Sequence, residues 1–300
     1  MLDKEEYIII YKQHLINRNL KETTIYNDTL IIGCLIDHFN SHYKQLNDLT
    51  EVNKNMVYVY ITVSDFSDSY KSNMKFIFRG FFDYMYKINR CSFDGRSLFP
   101  VIRTNKRDNL ISFYTPEEIS EMLSDFRDSP HCGNRNKCMT LIAAKTGLRA
   151  SDIVWLKFSE ISWDKQIINK IQKKTSLPVM VSFDDDIKFS LIDYIKNYRP
   201  KVKSDFIFLN YLTGMPLASA SPLTMTVGYH FKKSKVEIGN RKFGPHALRF
   251  SLAASLIRDN TPLPVITGIL GHNNLDTTKR YLSIDVENLR HVALEVPEYE

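Results

Sequence analysis

Residues 245–281 read PHALRFSLAASLIRDNTPLPVITGILGHNNLDTTKRY. His246 and Arg249 are three residues apart, so on a helix their side chains lie roughly 60° apart around the axis. An apolar stripe centred roughly 90° from this pair holds three leucines, Leu248, Leu252 and Leu256. We therefore predict a helix whose leucines face the core and whose histidine and arginine look into a cleft beside it.

The end of the same stretch combines a helix terminus with a polar turn. Apolar residues from Val265 to Leu270 predict a short amphipathic helix, and Gly271 is a suitable C-terminal cap. His272 would then be presented from a rigid helix end. Tyr281 follows nine residues later, but it is one of sixteen tyrosines and nothing intrinsic to it indicates a nucleophile.

An arginine upstream completes the set of anion-binding side chains. Residues 145–156 read KTGLRASDIVWL, which places Arg149 two residues after Gly147 and at the start of a predicted helix. A guanidinium group binds phosphate through two parallel hydrogen bonds. The alternative role for Arg149 is a salt bridge within its own domain, for example with Asp152.

The N-terminal third predicts a helical bundle. Four segments show apolar residues at helical spacing, and we interpret residues 1–99 as one all-helical domain. The fourth segment, around residues 67–88, carries a stripe that we assign to the core: Met74, Ile77, Phe78, Phe81, Phe82 and Met85.

A basic segment separates this bundle from the rest of the chain. We interpret residues 100–112 as a linker, which is either a strap against DNA phosphates or an ordinary solvated connection. Its basic residues are Arg103, Lys106 and Arg107.

Residues 113–300 predict a mixed domain. Helices are expected at 116–127, at 135–146 and from residue 151, and residues 166–172 and 177–183 predict a β-hairpin with the basic tip KKTS. Residues 206–209 are a further strand candidate, and the pattern is helical again from residue 221. The fold class is therefore mainly α with a small β-sheet (α+β).

Composition sets broad limits on function. The chain has 300 residues, 43% hydrophobic residues and a net charge of +6, which permits a polyanionic partner. Its first residues do not form a signal peptide, and no run approaches the ~20 apolar residues of a membrane helix. Four sparse cysteines fit a reducing compartment and predict no metal site. We expect a cytoplasmic protein with no cofactor.

Taken together, these residues resemble the tyrosine recombinases, the integrase family of site-specific DNA recombinases. The resemblance covers nearly the whole chain, with a helical core-binding domain, a basic linker and a mixed catalytic domain. The matching positions occur in the order of the family: Arg149, a hairpin lysine, His246, Arg249, His272 and Tyr281.

This resemblance implies a role for each matched residue. Arg149, His246 and Arg249 would clamp the scissile phosphate, and His272 would assist the transition state. Tyr281 would attack phosphorus, and the hairpin lysine would protonate the leaving 5′ oxygen. Lys173 and Lys174 are both candidates for this acid, and the register relative to the second strand favours Lys174.

The resemblance also implies partners. Family members bind double-stranded DNA at specific recombination sites and act as tetramers through a Holliday junction. The resemblance also allows an accessory directionality factor. A C-terminal segment at residues 286–294 would dock on a neighbouring protomer. Further basic side chains would contact DNA phosphates: Lys173, Lys232, Lys233, Lys235, Arg241 and Lys242. The alternative is that these residues form an ordinary solvated face.

Several functions fit the same residues. Within the family, the chain is short for an additional arm-site-binding domain, which favours a simple recombinase. Among simple recombinases we favour an integrase of a compact mobile element, associated with the nucleoid. The alternatives are a transposon or chromosome-dimer resolvase, a type IB topoisomerase-like enzyme, and a catalytically silent DNA-binding relative. A metal-dependent nuclease would need a carboxylate cluster that the sequence does not show.

Overall fold

The computed structural model describes residues 1–99, 113–124, 126 and 133–271. The chain divides into two compact units, Met1–Asn105 and Lys106–Glu300. The described part is mainly helical with one small sheet, so the predicted fold class is confirmed. The predicted linker at 100–112 lies outside the described residues, and the boundaries 1–99 and 113–300 stay predictions.

The first unit is a helical bundle. All of its helices except α2 begin at a side-chain cap, as when Ser67 accepts from the amide of Tyr70 at the start of α4. Every residue of the predicted stripe from Met74 to Met85 is buried, so that its assignment to the core is confirmed. The helices are α1 (Lys4–Asn17), α2 (Glu22–His42), α3 (Lys54–Val63), α4 (Asp68–Lys87) and α5 (Gly95–Leu98).

The second unit combines helices that pack mainly on one another with a three-stranded antiparallel sheet. Its elements are α6 (Pro116–Ser124), α7 (Gly133–Thr146), α8 (Ala150–Val154), β1 (Ile161–Ser162), β2 (Ile167–Ile171), β3 (Pro178–Ser182), α9 (Asp185–Asp193), α10 (Ser221–Lys233), α11 (Pro245–Arg258) and α12 (Leu263–Leu270). The strand order is β1-β2-β3, and Ile171 pairs with Pro178 at the end of the predicted hairpin. The hairpin and its KKTS tip are therefore confirmed.

The strand predicted at 206–209 is wrong. This segment forms only isolated bridges, from Phe206 to Lys157 and from Leu209 to Pro216. Ile207, Phe208 and Leu209 are buried and Phe206 is partly buried, but much of the backbone bonds to side chains instead of a neighbouring strand. The guanidinium of Arg199 donates to the carbonyls of Phe206 and Ile207, and the hydroxyl of Tyr194 accepts from the amide of Leu209.

Helix α11 is the central helix of the candidate site. Gly244 precedes it with a φ of +125°, a conformation that favours glycine, and Pro245 occupies its first position. The prediction for its apolar face needs correction. Leu248 is fully buried, but Leu252 and Leu256 are only partly buried, and small residues fill much of the buried face instead. α11 packs on α7, α12, α10 and α6, so more of its circumference is covered than one leucine stripe would cover.

Candidate active site

Two arginines from distant parts of the chain meet at the end of α12. Arg249 lies on α11 and is 3% exposed; its Nη1 donates to the carbonyl oxygen of Gly147 at 2.6 Å, and its Nη2 donates to that of Leu270. Arg149, the N-cap residue of α8, donates from Nη2 to the carbonyl oxygen of Gly271 at 3.5 Å. Both guanidinium groups are therefore fixed beside the residue that precedes His272.

The backbone before Arg149 brings these elements close together. Gly147 has a φ of +64°, and a Cβ there would lie 2.9 Å from a methyl group of Leu252 and 3.1 Å from one of Leu270. A glycine thus permits both the turn and the approach of α11 and α12 to it. The spacing KTGLR could be read from the sequence, but this packing could not.

His246 is exposed at the start of α11, one turn before the buried Arg249. His246 and Arg249 therefore lie on one helix as predicted, but the prediction that both face an open cleft needs correction, because Arg249 is buried. Partial burial of the ring lowers the pKa of His246 below its ordinary value of 6.5, and the positive charges of Arg249, Lys174 and Arg149 lower that pKa further. A neutral imidazole can accept a proton, and four predicted site residues are close enough to interact electrostatically.

The hairpin tip separates the two lysine candidates. The Nζ of Lys173 lies 3.5 Å from the centre of the Trp155 ring, in a cation–π contact. Trp155 is itself held by a hydrogen bond of 2.7 Å from its Nε1 to the carbonyl oxygen of Leu217. Lys174, by contrast, contributes to the lowered pKa of His246. The preference for Lys174 over Lys173 as the acid stays a prediction.

A buried carboxylate lies behind the tip. Asp152 is fully buried, and its Oδ1 accepts a hydrogen bond of 2.9 Å from the backbone amide of Lys173. Among the described residues, its Oδ2 has no hydrogen-bond partner. Burial raises the pKa of Asp152, while the Lys173 amide and the nearby charge of Arg149 act in the opposite direction. Asp152 thus ties the hairpin tip to α8, a role that its position three residues after Arg149 does not reveal.

A buried glutamine is the residue that sequence reasoning missed. Gln172, the first residue after β2, is fully buried, and its Oε1 accepts from the Nη1 of Arg149. The only signal in the sequence is its position directly before the lysine pair.

The remaining predicted site residues fall into two groups, those outside the described residues and those on the surface of the second unit. His272, Tyr281 and the C-terminal docking segment at 286–294 lie outside the described residues, as do Arg103, Lys106 and Arg107. The side chain of Arg241 forms an ion pair of 2.7 Å with Glu118 and packs on the ring of Tyr114, so a DNA phosphate would have to share or displace that carboxylate. Four lysines of the predicted DNA surface are exposed: Lys232, Lys233, Lys235 and Lys242.

In the described ranges, no group of three or more histidine, cysteine, aspartate or glutamate side chains could hold a metal ion. Over the same residues, none of the helices has both the length and the apolar character needed to cross a bilayer.

Curated relatives match part of this chain. A putative integrase/recombinase of Sinorhizobium fredii, y4rF, is 30% identical over 164 residues, which are 54% of this chain and 38% of the relative. The tyrosine recombinase XerC of Lactobacillus leichmannii is 26% identical over 193 residues, 63% of each chain. The alignments therefore span about two fifths and three fifths of the length of these relatives.

Solved structures show the same fold. The XerH site-specific recombinase, in a post-cleavage complex with palindromic difH DNA, superposes with a TM-score of 0.71 at 23% identity over 92% of this chain and 80% of that one. A lambda integrase dimer bound to a COC′ core site gives a TM-score of 0.69 at 16% identity, covering 99% of both chains. A sequence model described as "Phage integrase family" matches residues 112–288. With this match over more than half of its length, the chain belongs to the phage integrase family.

Proposed function

We propose that this protein is a site-specific tyrosine recombinase that cleaves and rejoins DNA through a 3′-phosphotyrosine intermediate. One observation carries the proposal: Arg149 and Arg249 both donate to carbonyls at the end of α12, with His246 in the field of both and of Lys174. Such a cluster of cations suits a phosphodiester whose negative charge grows during attack.

Each residue has a definite task in the proposed reaction. The phenol oxygen of Tyr281 attacks the scissile phosphorus, forming a phosphotyrosyl bond, while the bond from phosphorus to the 5′ oxygen breaks. His246, whose pKa is lowered by burial and by the nearby cations, accepts the phenolic proton, and Lys174 donates a proton to the leaving oxygen. Attack by the freed 5′ hydroxyl of a partner strand reverses these steps.

The two arginines and His272 complete the proposed pocket. Arg149 and Arg249 would neutralise the non-bridging phosphoryl oxygens, and His272 would donate to one of them in the transition state. Donors of this kind are each worth about 3–4 kcal/mol in other enzymes. Because the phosphotyrosyl bond retains the energy of the phosphodiester, no ATP is needed. The two arginines would neutralise the growing charge without a metal ion.

The proposed biological role is integration or excision of a mobile element. The family description, the integrase/recombinase relatives and the likeness to a Tn1549 transposon integrase structure support this role. The protein would act as a tetramer on two synapsed double-stranded sites, with an accessory factor setting direction. Resolvase activity would instead appear as recombination restricted to two sites on one circle, whereas an integrase also joins sites on separate molecules.

The covalent adduct is the decisive measurement. Duplexes are first selected for binding from a random-sequence library with the Tyr281→Phe variant, and the selected duplex is then nicked at successive positions. We expect the wild-type protein to form a denaturant-stable adduct on one nicked duplex, with EDTA present, and the Phe variant to bind but form none.

Other outcomes select other functions. If the wild-type protein forms no adduct on any nicked duplex, the chain is a silent DNA-binding protein and the proposal is wrong. Relaxation of any supercoiled plasmid without recombinants would identify a topoisomerase, and loss of cleavage on adding EDTA would identify a metal-dependent nuclease.

A further inference from the structure

The side-chain amide of Gln172 joins three elements of the second unit. Its Oε1 accepts hydrogen bonds from the Nη1 of Arg149 and from the Oγ1 of Thr175, the latter at 2.8 Å. Its Nε2 donates to the carbonyl oxygen of Leu270 at 3.3 Å. One buried amide therefore connects the arginine at the start of α8, the hairpin tip and the end of α12.

The backbone around this amide is fitted to it. Gly271 has a φ of +59°, and a Cβ at this position would lie 2.6 Å from the Nε2 of Gln172 and 2.7 Å from its Oε1. No side chain can be placed that close without a shift in the surrounding atoms. The backbone of Gln172 also closes the hairpin, because its amide donates to the carbonyl of Leu177 at 2.9 Å and its carbonyl accepts from the amide of Ser176 at 2.8 Å.

A neutral partner has a particular advantage for a phosphate-binding arginine. A carboxylate hydrogen-bonded to Arg149 would fix the guanidinium but cancel part of the charge that the phosphate needs. An amide oxygen fixes the same group and adds no further negative charge beside it. A displacement of only about 1 Å in a catalytic group can cost about 100-fold in rate, so fixing the group matters.

We propose that Gln172 is a positioning residue that holds the Arg149 guanidinium in the orientation required to bind the scissile phosphate. This inference rests on the proposed recombinase function and deepens it. Gln172 acts through Arg149, with its contacts to Thr175 and Leu270 keeping the amide itself in place. Gln172 also contacts the hairpin that carries Lys174. The experiment must therefore distinguish an effect of Gln172 on Arg149 from an effect on Lys174.

Three forms of the selected, nicked duplex make that distinction. The first has an ordinary scissile phosphodiester. The second has a methylphosphonate there, which lacks one negative charge and so depends less on a guanidinium. The third has sulfur in place of the leaving 5′ oxygen, and a thiolate leaves without a proton from an acid. Single-turnover cleavage of each is compared between the wild-type protein and Gln172→Met, which keeps the side-chain length but no amide.

Lys170→Met is the matched control. Lys170 is a buried polar residue of β2, 8% exposed, whose ammonium pairs with Glu160 at 2.7 Å and donates to the carbonyl of Trp155 at 2.8 Å. Its replacement perturbs the same strand without removing a contact to Arg149. We expect this control to be impaired by the same factor on all three substrates.

For Gln172→Met, we expect cleavage of the ordinary phosphodiester to be slower by about 10–100-fold, and the deficit to shrink to within about threefold on the methylphosphonate. The deficit should persist on the 5′-sulfur substrate. Equal deficits on all three substrates, or rescue by sulfur alone, would overturn the inference while leaving the recombinase function intact. A wild-type protein that cleaves none of them would instead overturn the function and the inference together.

Discussion

The Nη1 of Arg249 donates a hydrogen bond of 2.6 Å to the carbonyl oxygen of Gly147, although 102 residues separate the two in the chain. The same guanidinium also holds the carbonyl of Leu270 at the end of α12. Arg249 is thus a structural link between the start of α8 and the end of α12 as well as a candidate ligand of the scissile phosphate.

This double role predicts two defects in Arg249→Ala. The carbonyls of Gly147 and Leu270 would each lose one donor, although Gln172 still donates to Leu270, and this loss should lower the free energy of unfolding by about 1–3 kcal/mol. Cleavage should also fall by about 100–1,000-fold, as for loss of other transition-state donors. Urea unfolding and adduct formation measure the two effects. Arg149→Ala is the comparison. Because Arg149 is only partly buried, this variant should lose activity with a smaller decrease in the free energy of unfolding. An Arg249→Ala protein that unfolds at the wild-type midpoint would contradict the structural role.

The two hairpin lysines should behave differently on replacement. Lys174→Ala should reduce cleavage of the ordinary phosphodiester by about 100–10,000-fold, the usual range for loss of a general acid, and a 5′-sulfur leaving group should restore most of it. Lys173→Ala is the matched control. Because the Lys173 ammonium packs on the ring of Trp155, its loss should reduce the rate of cleavage far less than the loss of Lys174. If the sulfur substrate rescues Lys173→Ala and not Lys174→Ala, the acid is Lys173.

Gly271→Ala should destabilise the second unit. An alanine at a φ of +59° is strained by about 1 kcal/mol, and its methyl group would collide with the amide of Gln172. Gly268→Ala in the same helix is the control, because no atom lies within 4 Å of the added Cβ, and alanine favours a helix over glycine by about 1 kcal/mol. Thermal unfolding should therefore show opposite shifts. A Gly271→Ala protein as stable as Gly268→Ala would show that the amide does not occupy this space.

The lowered pKa of His246 predicts pH dependence. The folded protein binds this proton more weakly than the unfolded chain, whose histidine has a pKa near 6.5. Between that value and the lower pKa of the folded state, unfolding takes up a proton, so this group makes the protein less stable as the pH falls. Cleavage should decline over the same range if His246 must be neutral. NMR titration of His246 in the wild-type protein and in Lys174→Ala provides the check, and removal of the lysine should raise the pKa. An unchanged titration would place Lys174 away from the histidine.

Local patterns were sufficient to predict the helical bundle and the hairpin. The stripe from Met74 to Met85 repeats at helical spacing, and the two strands alternate about a four-residue tip, so that each pattern identifies its own element. The strand predicted at 206–209 was wrong because a local pattern does not identify hydrogen-bond partners. Ile207, Phe208 and Leu209 are buried like the residues of a strand, but the hydrogen-bond partners of the segment, including Arg199 and Tyr194, depend on tertiary packing.

The sequence by itself determined the identity and order of the residues that resemble the family set, because their types and spacings are local properties of the chain. Only the tertiary structure decided which of them meet. It buried Arg249 and left His246 exposed, packed Lys173 on Trp155, and inserted Gln172 between Arg149 and Gly271. These contacts join segments up to about 100 residues apart, and they form because buried donors and acceptors must find partners wherever the folded chain brings them.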